Sequence, residues 1–270
     1  MTIIVQFVTL YATNVMKAIS LQSGSNGNCI YVESNGVKLL FDAGISGIQA
    51  EKRLASHNID IRDIDALIIS HDHSDHTRCA GIYHRKYGIT IYATEETIDA
   101  AYRCQDLGKI SDIAFFRPGD KLRFDGVSVE TIPTPHDATE GSAFVVSSGG
   151  KRLGILTDLG HVFDGLDKVI NSLNAVFLES NYDPEMLEHG TYPAYLKQRI
   201  SGPAGHLSNM ESAELLQSAD CDRMKWVCLA HLSENNNRPD IALETHLNIL
   251  NGGLPLYTAS RYAASDIFNI

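Results

Sequence analysis

Cysteine is scarce and unpatterned. The five residues, Cys29, Cys79, Cys104, Cys221 and Cys228, are odd in number, widely spaced and free of any CxxC. That excludes a disulfide framework and a zinc ribbon, and reads as reduced, mostly buried thiols of a cytoplasmic protein. Positive charge is also short: 22 Lys and Arg against 33 Asp and Glu leave a net −11. Such a surface does not wrap nucleic acid nonspecifically, because phosphate contacts dominate that affinity. Bound dications and a local basic patch can still invert the field at one site. A membrane span is missing too. Residues 2–15 are mostly apolar but too short to cross a bilayer, and they carry neither a basic n-region nor a clear cleavage site. Met16 is expected to be the natural start, with residues 1–15 an N-terminal extension. No low-complexity linker divides the remainder, so residues 16–270 read as one domain.

Against this plain background, histidine is concentrated. Eleven occur in 270 residues, yet three fall within Ser70-His71-Asp72-His73-Ser74-Asp75-His76, directly after the apolar run Ala66-Leu67-Ile68-Ile69. The pattern is HxHxDH at the end of a buried strand. Imidazole nitrogen and carboxylate oxygen form the ligand set that holds zinc and similar divalent ions, and no turn needs three imidazoles.

The rest of the chain repeats the strand-end theme. Strands are expected over 17–22, 29–33 and 37–41, the last two joined by the hairpin signal Asn35-Gly36. Helices are expected over 49–57, 77–87 and 95–103, and further strands over 89–93, 113–116, 121–124 and 127–132. The second half yields strands over 143–147, 152–157, 175–178 and 225–230, with helices over 193–200, 209–219 and 239–249. His71, Asp75, His136, Asp158, Glu179 and His231 all lie just after these strands. Strand ends of packed sheets face a common edge, so residues far apart in sequence can converge there. Strands mixed with helices, rather than strictly alternating, suggest two packed sheets with helices outside.

These residues, in this order, resemble the metallo-β-lactamase superfamily: HxHxDH, a later single histidine, the aspartate of Thr157-Asp158, and a terminal histidine. The resemblance covers nearly everything from Lys17 onward. It implies a four-layered αββα sandwich of two mixed β-sheets flanked by helices. It also implies two divalent metal ions per chain, Zn2+ or Mn2+. His71, His73 and His136 would bind one ion; Asp75, His76 and His231 would bind the other; Asp158 would bridge them. Asp42, at an early strand end, resembles the family's aspartate that orients a ligand histidine, and reads equally as a turn residue. A bridging aspartate points to the binuclear hydrolases, which act through a hydroxide shared between the ions.

Substrate class rests on three later segments. Gly205-His206-Leu207-Ser208 resembles the His-x-Thr/Ser segment of ribonuclease Z enzymes, and Leu178-Glu179-Ser180-Asn181 resembles their glutamate-bearing strand end. Leu229-Ala230-His231-Leu232-Ser233, followed by Asn235-Asn236-Asn237, resembles the YycJ/WalJ-like group. The implied activity is phosphodiester hydrolysis, as a DNA exonuclease. His206 would then donate a proton to the leaving group, with Glu179 holding it protonated and Asp75 beside the reacting centre. Ser208, Asn235 and Asn236 are assigned to substrate, although Ser208 also reads as the cap of the helix over 209–219. Thioester or lactone hydrolysis of the glyoxalase II or lactonase type is the alternative, since it shares the metal ligands but does not need the His206 segment. The expected partner is nucleic acid, DNA before RNA, with no membrane; a homo-oligomer and DNA-repair protein partners are compatible. His57, His84, His161, His189 and His246 have no motif partner and read as structural or surface residues, and Tyr182 and Tyr192 as packing residues.

Overall fold

A computed structural model describes residues 15–270; the expected N-terminal extension falls almost wholly outside them. The chain begins with β1 (Lys17–Gln22), β2 (Cys29–Ser34) and β3 (Val37–Phe41), continues through β4 (Ala66–Ile68) and β5 (Thr90–Ala93), and reaches an edge at β6 (Ile113–Phe115). A second sheet holds β7 (Lys121–Phe124), β8 (Val127–Pro133), β9 (Ser142–Ser148), β10 (Lys151–Leu156), β11 (Ala175–Glu179), β12 (Trp226–Ala230) and β13 (Leu256–Thr258). The final strand, β14 (Phe268–Asn269), returns to the first sheet and pairs antiparallel with β1. Each sheet therefore has seven strands among the described residues, ordered 14-1-2-3-4-5-6 and 13-12-11-10-9-8-7.

The period of two along each strand sorts side chains between layers. Leu39 and Phe41 of β3 join Phe144, Ile155, Phe177 and Trp226 of the second sheet in a core between the sheets. Leu40 between them, with Tyr31 and Leu67, faces the opposite way. That outer face is covered by α1 (Gly47–Ala55), α3 (Ala80–Tyr87) and α4 (Glu95–Cys104), which lie either side of the single turn α2 (Ser74–Thr77) in the chain. On the far side, Val145, Leu156, Val176 and Leu229 pack under α5 (Leu166–Asn171), α8 (Asn209–Ser218) and α9 (Pro239–Leu250). The short α6 (Pro184–His189) and α7 (Ala194–Ile200) come between α5 and α8. The architecture is helix, sheet, sheet, helix, as expected.

The single helix expected over 77–87 is instead broken. Residues 74–77 form one turn, and α3 starts only at Ala80. The Cys79 N–H is taken by the Ala43 carbonyl at 3.0 Å, and Cys79 sits at φ −112°, ψ 3°, outside the helical basin. The break lets residues 71–76 wrap the strand end instead of running straight away from it.

Candidate binuclear metal centre

Strand direction assembles the site. β3 runs parallel to β4, while β10, β11 and β12 run parallel to one another. β8 and β10 share a direction because both lie antiparallel to β9. The carboxyl ends of these strands deliver Asp42, His71, His136, Asp158, Glu179 and His231 to one edge of the sandwich. Three of them leave the strand in the left-handed region: Asp42 at φ 64°, Asp158 at φ 56° and His231 at φ 56°. A non-glycine residue held there costs about 1–3 kcal/mol, and such strain is typical of functional positions.

Two clusters result. One potential ligand atom from each of His71, His73 and His136 lies within 4.8 Å of the others, and the same holds for Asp75, His76 and His231. Asp158 stands between them, with its carboxylate 3.4 Å from His76 Nε2, 3.3 Å from His231 Nε2 and 3.7 Å from His136 Nε2.

Each imidazole has its other nitrogen tied down, which fixes its tautomer. His136 Nδ1 donates to the Gly205 carbonyl at 2.8 Å, leaving Nε2 toward His73. His73 reverses the choice: Nε2 donates to the Asp137 carbonyl at 3.2 Å, and Nδ1 faces His136 at 3.3 Å. The Ser70 hydroxyl donates to Asp42 at 2.9 Å and accepts from His71 Nδ1, also at 2.9 Å, so His71 presents an unprotonated Nε2. His76 Nδ1 donates to Asp42 Oδ2 at 2.7 Å, and His231 Nδ1 to Asn28 Oδ1 at 3.2 Å. Asp42 thus orients His76 and, through Ser70, His71.

The donor set fits a pair of divalent ions. His71 Nε2 and Asp158 Oδ2 are buried without any hydrogen-bond partner. A pair of orphaned buried atoms would be costly unless something of opposite character satisfied them. Electrostatics agree. Burial pushes His71, His73 and His231 below the usual imidazole range, which keeps them neutral as metal ligation requires. Burial also opposes charge on His76, but Asp42, Asp158 and Asp75 overcome it and draw a proton there well above the ordinary value. That negative field is one a dication would satisfy equally well. Asp75 is held down at about 2 by His76 and His231, although burial alone would raise it.

Beside the clusters, Glu179 is fully buried, with Oε2 accepting from the Leu159 N–H at 2.9 Å. Oε1 accepts from His206 Nδ1 at 2.6 Å. Burial opposes charge on His206, yet the Glu179 carboxylate and its hydrogen bond carry the imidazole above its ordinary value. His206 lies near His136 and Asp158, but its Nδ1 proton is committed to Glu179, so Nε2 is the nitrogen left for chemistry.

A cavity of about 320 Å³ opens over these groups and is lined by His73, Asp75, Asp158, His206 and His231. Of the residues assigned to substrate from the sequence, Ser208 and Asn236 do not line it. Ser208 is buried as the N-cap of α8, its hydroxyl and N–H both bonded to Glu211 in a capping box. Asn236 is buried and turned to Ser233. Asn235 reaches the rim only through the Tyr192 hydroxyl, to which it donates at 2.9 Å.

A model of the metallo-beta-lactamase superfamily matches residues 23–231, which span the whole constellation from the Ser23 loop to His231. The chain belongs to this superfamily. Within the superfamily it is 38% identical over 232 residues to exodeoxyribonuclease WalJ of Streptococcus pneumoniae serotype 2, covering 85% of this chain and 86% of that protein. It is also 38% identical over 224 residues to exodeoxyribonuclease YycJ of Bacillus anthracis, covering 82% and 84%. The crystal structure of the metallo-beta-lactamase fold protein YhfI from Bacillus subtilis superposes with a TM-score of 0.72 at 15% identity. It covers 95% of this chain and 100% of that one, which is likeness of fold.

Several residues at the site escaped the sequence reading. Asn28 cross-links the centre: its Nδ2 contacts His76 Nε2 at 3.0 Å and Asp75 Oδ2 at 3.2 Å while its Oδ1 holds His231. Asp137, Tyr192 and Arg199 line the cavity. For Asn28 the small-residue loop was the only signal, and for Asp137 its place after His136; nothing in the local sequence marks Arg199.

Proposed function

We propose that this protein is a metal-dependent phosphodiester hydrolase, a DNA exonuclease, whose ligands are His71, His73 and His136 for one ion and Asp75, His76 and His231 for the other, with Asp158 bridging. The observation that carries the reading is the 2.6 Å His206–Glu179 contact at the edge of the ligand clusters. A pair of divalent cations, zinc or manganese, would supply a nucleophile from water and neutralise the phosphate. The chain supplies the rest. Asp42 and Ser70 keep His76 and His71 in ligating tautomers, and Asn28 holds His231 in place. His206, with Nδ1–H fixed on Glu179, presents Nε2 to the cavity. Protonated, it donates from Nε2 to the departing sugar oxygen, a leaving group too basic to depart unaided. A buried carboxylate that favours the imidazolium suits that role, and a deep ligand cluster with no such acid would suit thioester or lactone cleavage instead. The WalJ and YycJ relatives support deoxyribonucleic acid as the substrate. The free thiols support a reducing compartment such as the cytoplasm, and among the described residues no helix is long and apolar enough to cross a membrane.

His206→Ala tests the assignment. Turnover of DNA should fall about 10²- to 10⁴-fold, the usual worth of a general acid, while metal content by elemental analysis stays at two ions per chain. Loss of an ion from the variant would make His206 a ligand and refute its role as the acid.

A further inference from the structure

The cavity is short of positive charge. Asp75, Asp137 and Asp158 bring carboxylates to its wall, and among the described residues Arg199 at the end of α7 is the only lysine or arginine lining it. Arg199 is held sideways. Its Nε donates to Asp137 Oδ2 at 2.5 Å, while neither Nη has a protein partner among the described residues, and the side chain is 58% exposed. Asp137 in turn stands between Arg199 and the first ligand cluster, its Oδ1 at 3.5 Å from His136 Nε2 and 3.8 Å from His73 Nε2. As an ion pair this exposed contact contributes little to stability, on the order of 1 kcal/mol or less. Its geometry serves another purpose. With Nε occupied, the plane of the guanidinium is fixed and its two Nη groups remain as a fork, the arrangement that grips a phosphate through two parallel hydrogen bonds. Asp137's carboxylate separates that fork from the histidines, so Arg199 is displaced from the phosphate undergoing cleavage.

From this, and resting on the phosphodiesterase reading, we infer that Arg199 binds the backbone phosphate next to the scissile one, with Asp137 as the positioning residue that orients it. Arg199 is then the contact that registers a polyanionic strand on an acidic protein, and a substrate with a single phosphate gains nothing from it.

Metal-loaded wild type, Arg199→Ala, Arg199→Lys and Asp137→Asn are compared on a single-stranded DNA oligonucleotide, and on oligonucleotides carrying a neutral methylphosphonate at one linkage at a time. Arg199→Ala should raise KM roughly 10- to 100-fold, the worth of a charge-assisted hydrogen-bonded contact, with the loss in KM and not in kcat. The slope of log KM against log salt should shrink by about 0.7, the share of one phosphate contact on a single strand. Arg199→Lys should recover part of the loss, and Asp137→Asn should raise KM less than Arg199→Ala does. A methylphosphonate beside the scissile linkage should weaken wild type by about the factor that Arg199→Ala costs, yet leave Arg199→Ala insensitive. An unchanged KM and salt slope in Arg199→Ala, or equal sensitivity of both proteins at every linkage, overturns the inference while wild-type DNA cleavage stands. If wild type itself fails to cleave DNA, the phosphodiesterase reading falls and the inference with it.

Discussion

Glu179→Gln isolates the proton from the rest of the site. In the native protein Glu179 accepts twice, from the Leu159 N–H at 2.9 Å and from His206 Nδ1–H at 2.6 Å. Glutamine keeps the shape but has one acceptor oxygen. The buried Leu159 N–H claims that oxygen, since leaving a buried donor unsatisfied costs about 1–3 kcal/mol. The amide NH2 must then face His206 Nδ1, which can receive it only as an unprotonated nitrogen. His206 is driven into the Nε2–H tautomer and loses the carboxylate that favours its cation, so it no longer delivers a proton at neutral pH. The expected cost is that of the general acid, about 10²- to 10⁴-fold or roughly 3–5 kcal/mol of barrier. The assay is single-turnover cleavage of a DNA oligonucleotide alongside bis-p-nitrophenyl phosphate, whose phenolate departs without a proton. The DNA rate should collapse while the phenyl ester slows less than about tenfold, with metal content unchanged. Equal losses on both substrates would show that Glu179 acts on something other than the leaving group.

Two further outcomes follow from other parts of the structure. Asp42→Ala removes the acceptor that holds His76 at 2.7 Å and Ser70 at 2.9 Å, so affinity for zinc should fall about 10- to 100-fold, read by competition with a chromophoric chelator; unchanged affinity would leave Asp42 as a turn residue. His246 bonds the Ala242 carbonyl and Ser212 Oγ between α8 and α9, and burial lowers it from 6.5 to about 4. Between those pH values the unfolded chain binds a proton that the folded chain refuses. The contribution is therefore complete above pH 6.5 and is lost as pH falls toward 4, by about 3 kcal/mol. Urea unfolding of wild type and His246→Gln should differ in pH dependence by that amount over that window, and parallel curves would mean that His246 is not kept neutral.

The cluster of candidate ligands was legible because its marks are local. His71, His73, Asp75 and His76 share one turn, and His136, Asp158 and His231 each stand just past a readable strand. Their convergence needed only strand direction, and the Asp42–His76 contact only an aspartate at a neighbouring strand end. What stayed hidden depends on partners remote in the chain. Asn28 meets His231 across 203 positions, and Arg199 enters through α7, none of whose residues is buried, so no apolar pattern marks where it docks. Ser208 and Asn236 stay out of the cavity for a related reason: a polar residue near a strand end serves the backbone as readily as a substrate. In Ser208 the capping box won, with Glu211 at the fourth position as the available sign. The break at Cys79 was invisible because the carbonyl that causes it belongs to Ala43 on a different element.

In the proposed function the candidate ligand clusters and the His206–Glu179 pair act together on a phosphodiester of DNA. Its most direct test is one panel of metal-loaded protein against end-labelled single- and double-stranded DNA, RNA, a γ-lactone and a glutathione thioester, with a chelated control. Metal-dependent release of mononucleotides from DNA ends is expected, with no turnover of the lactone or thioester. Rapid thioester or lactone hydrolysis with inert DNA would contradict it.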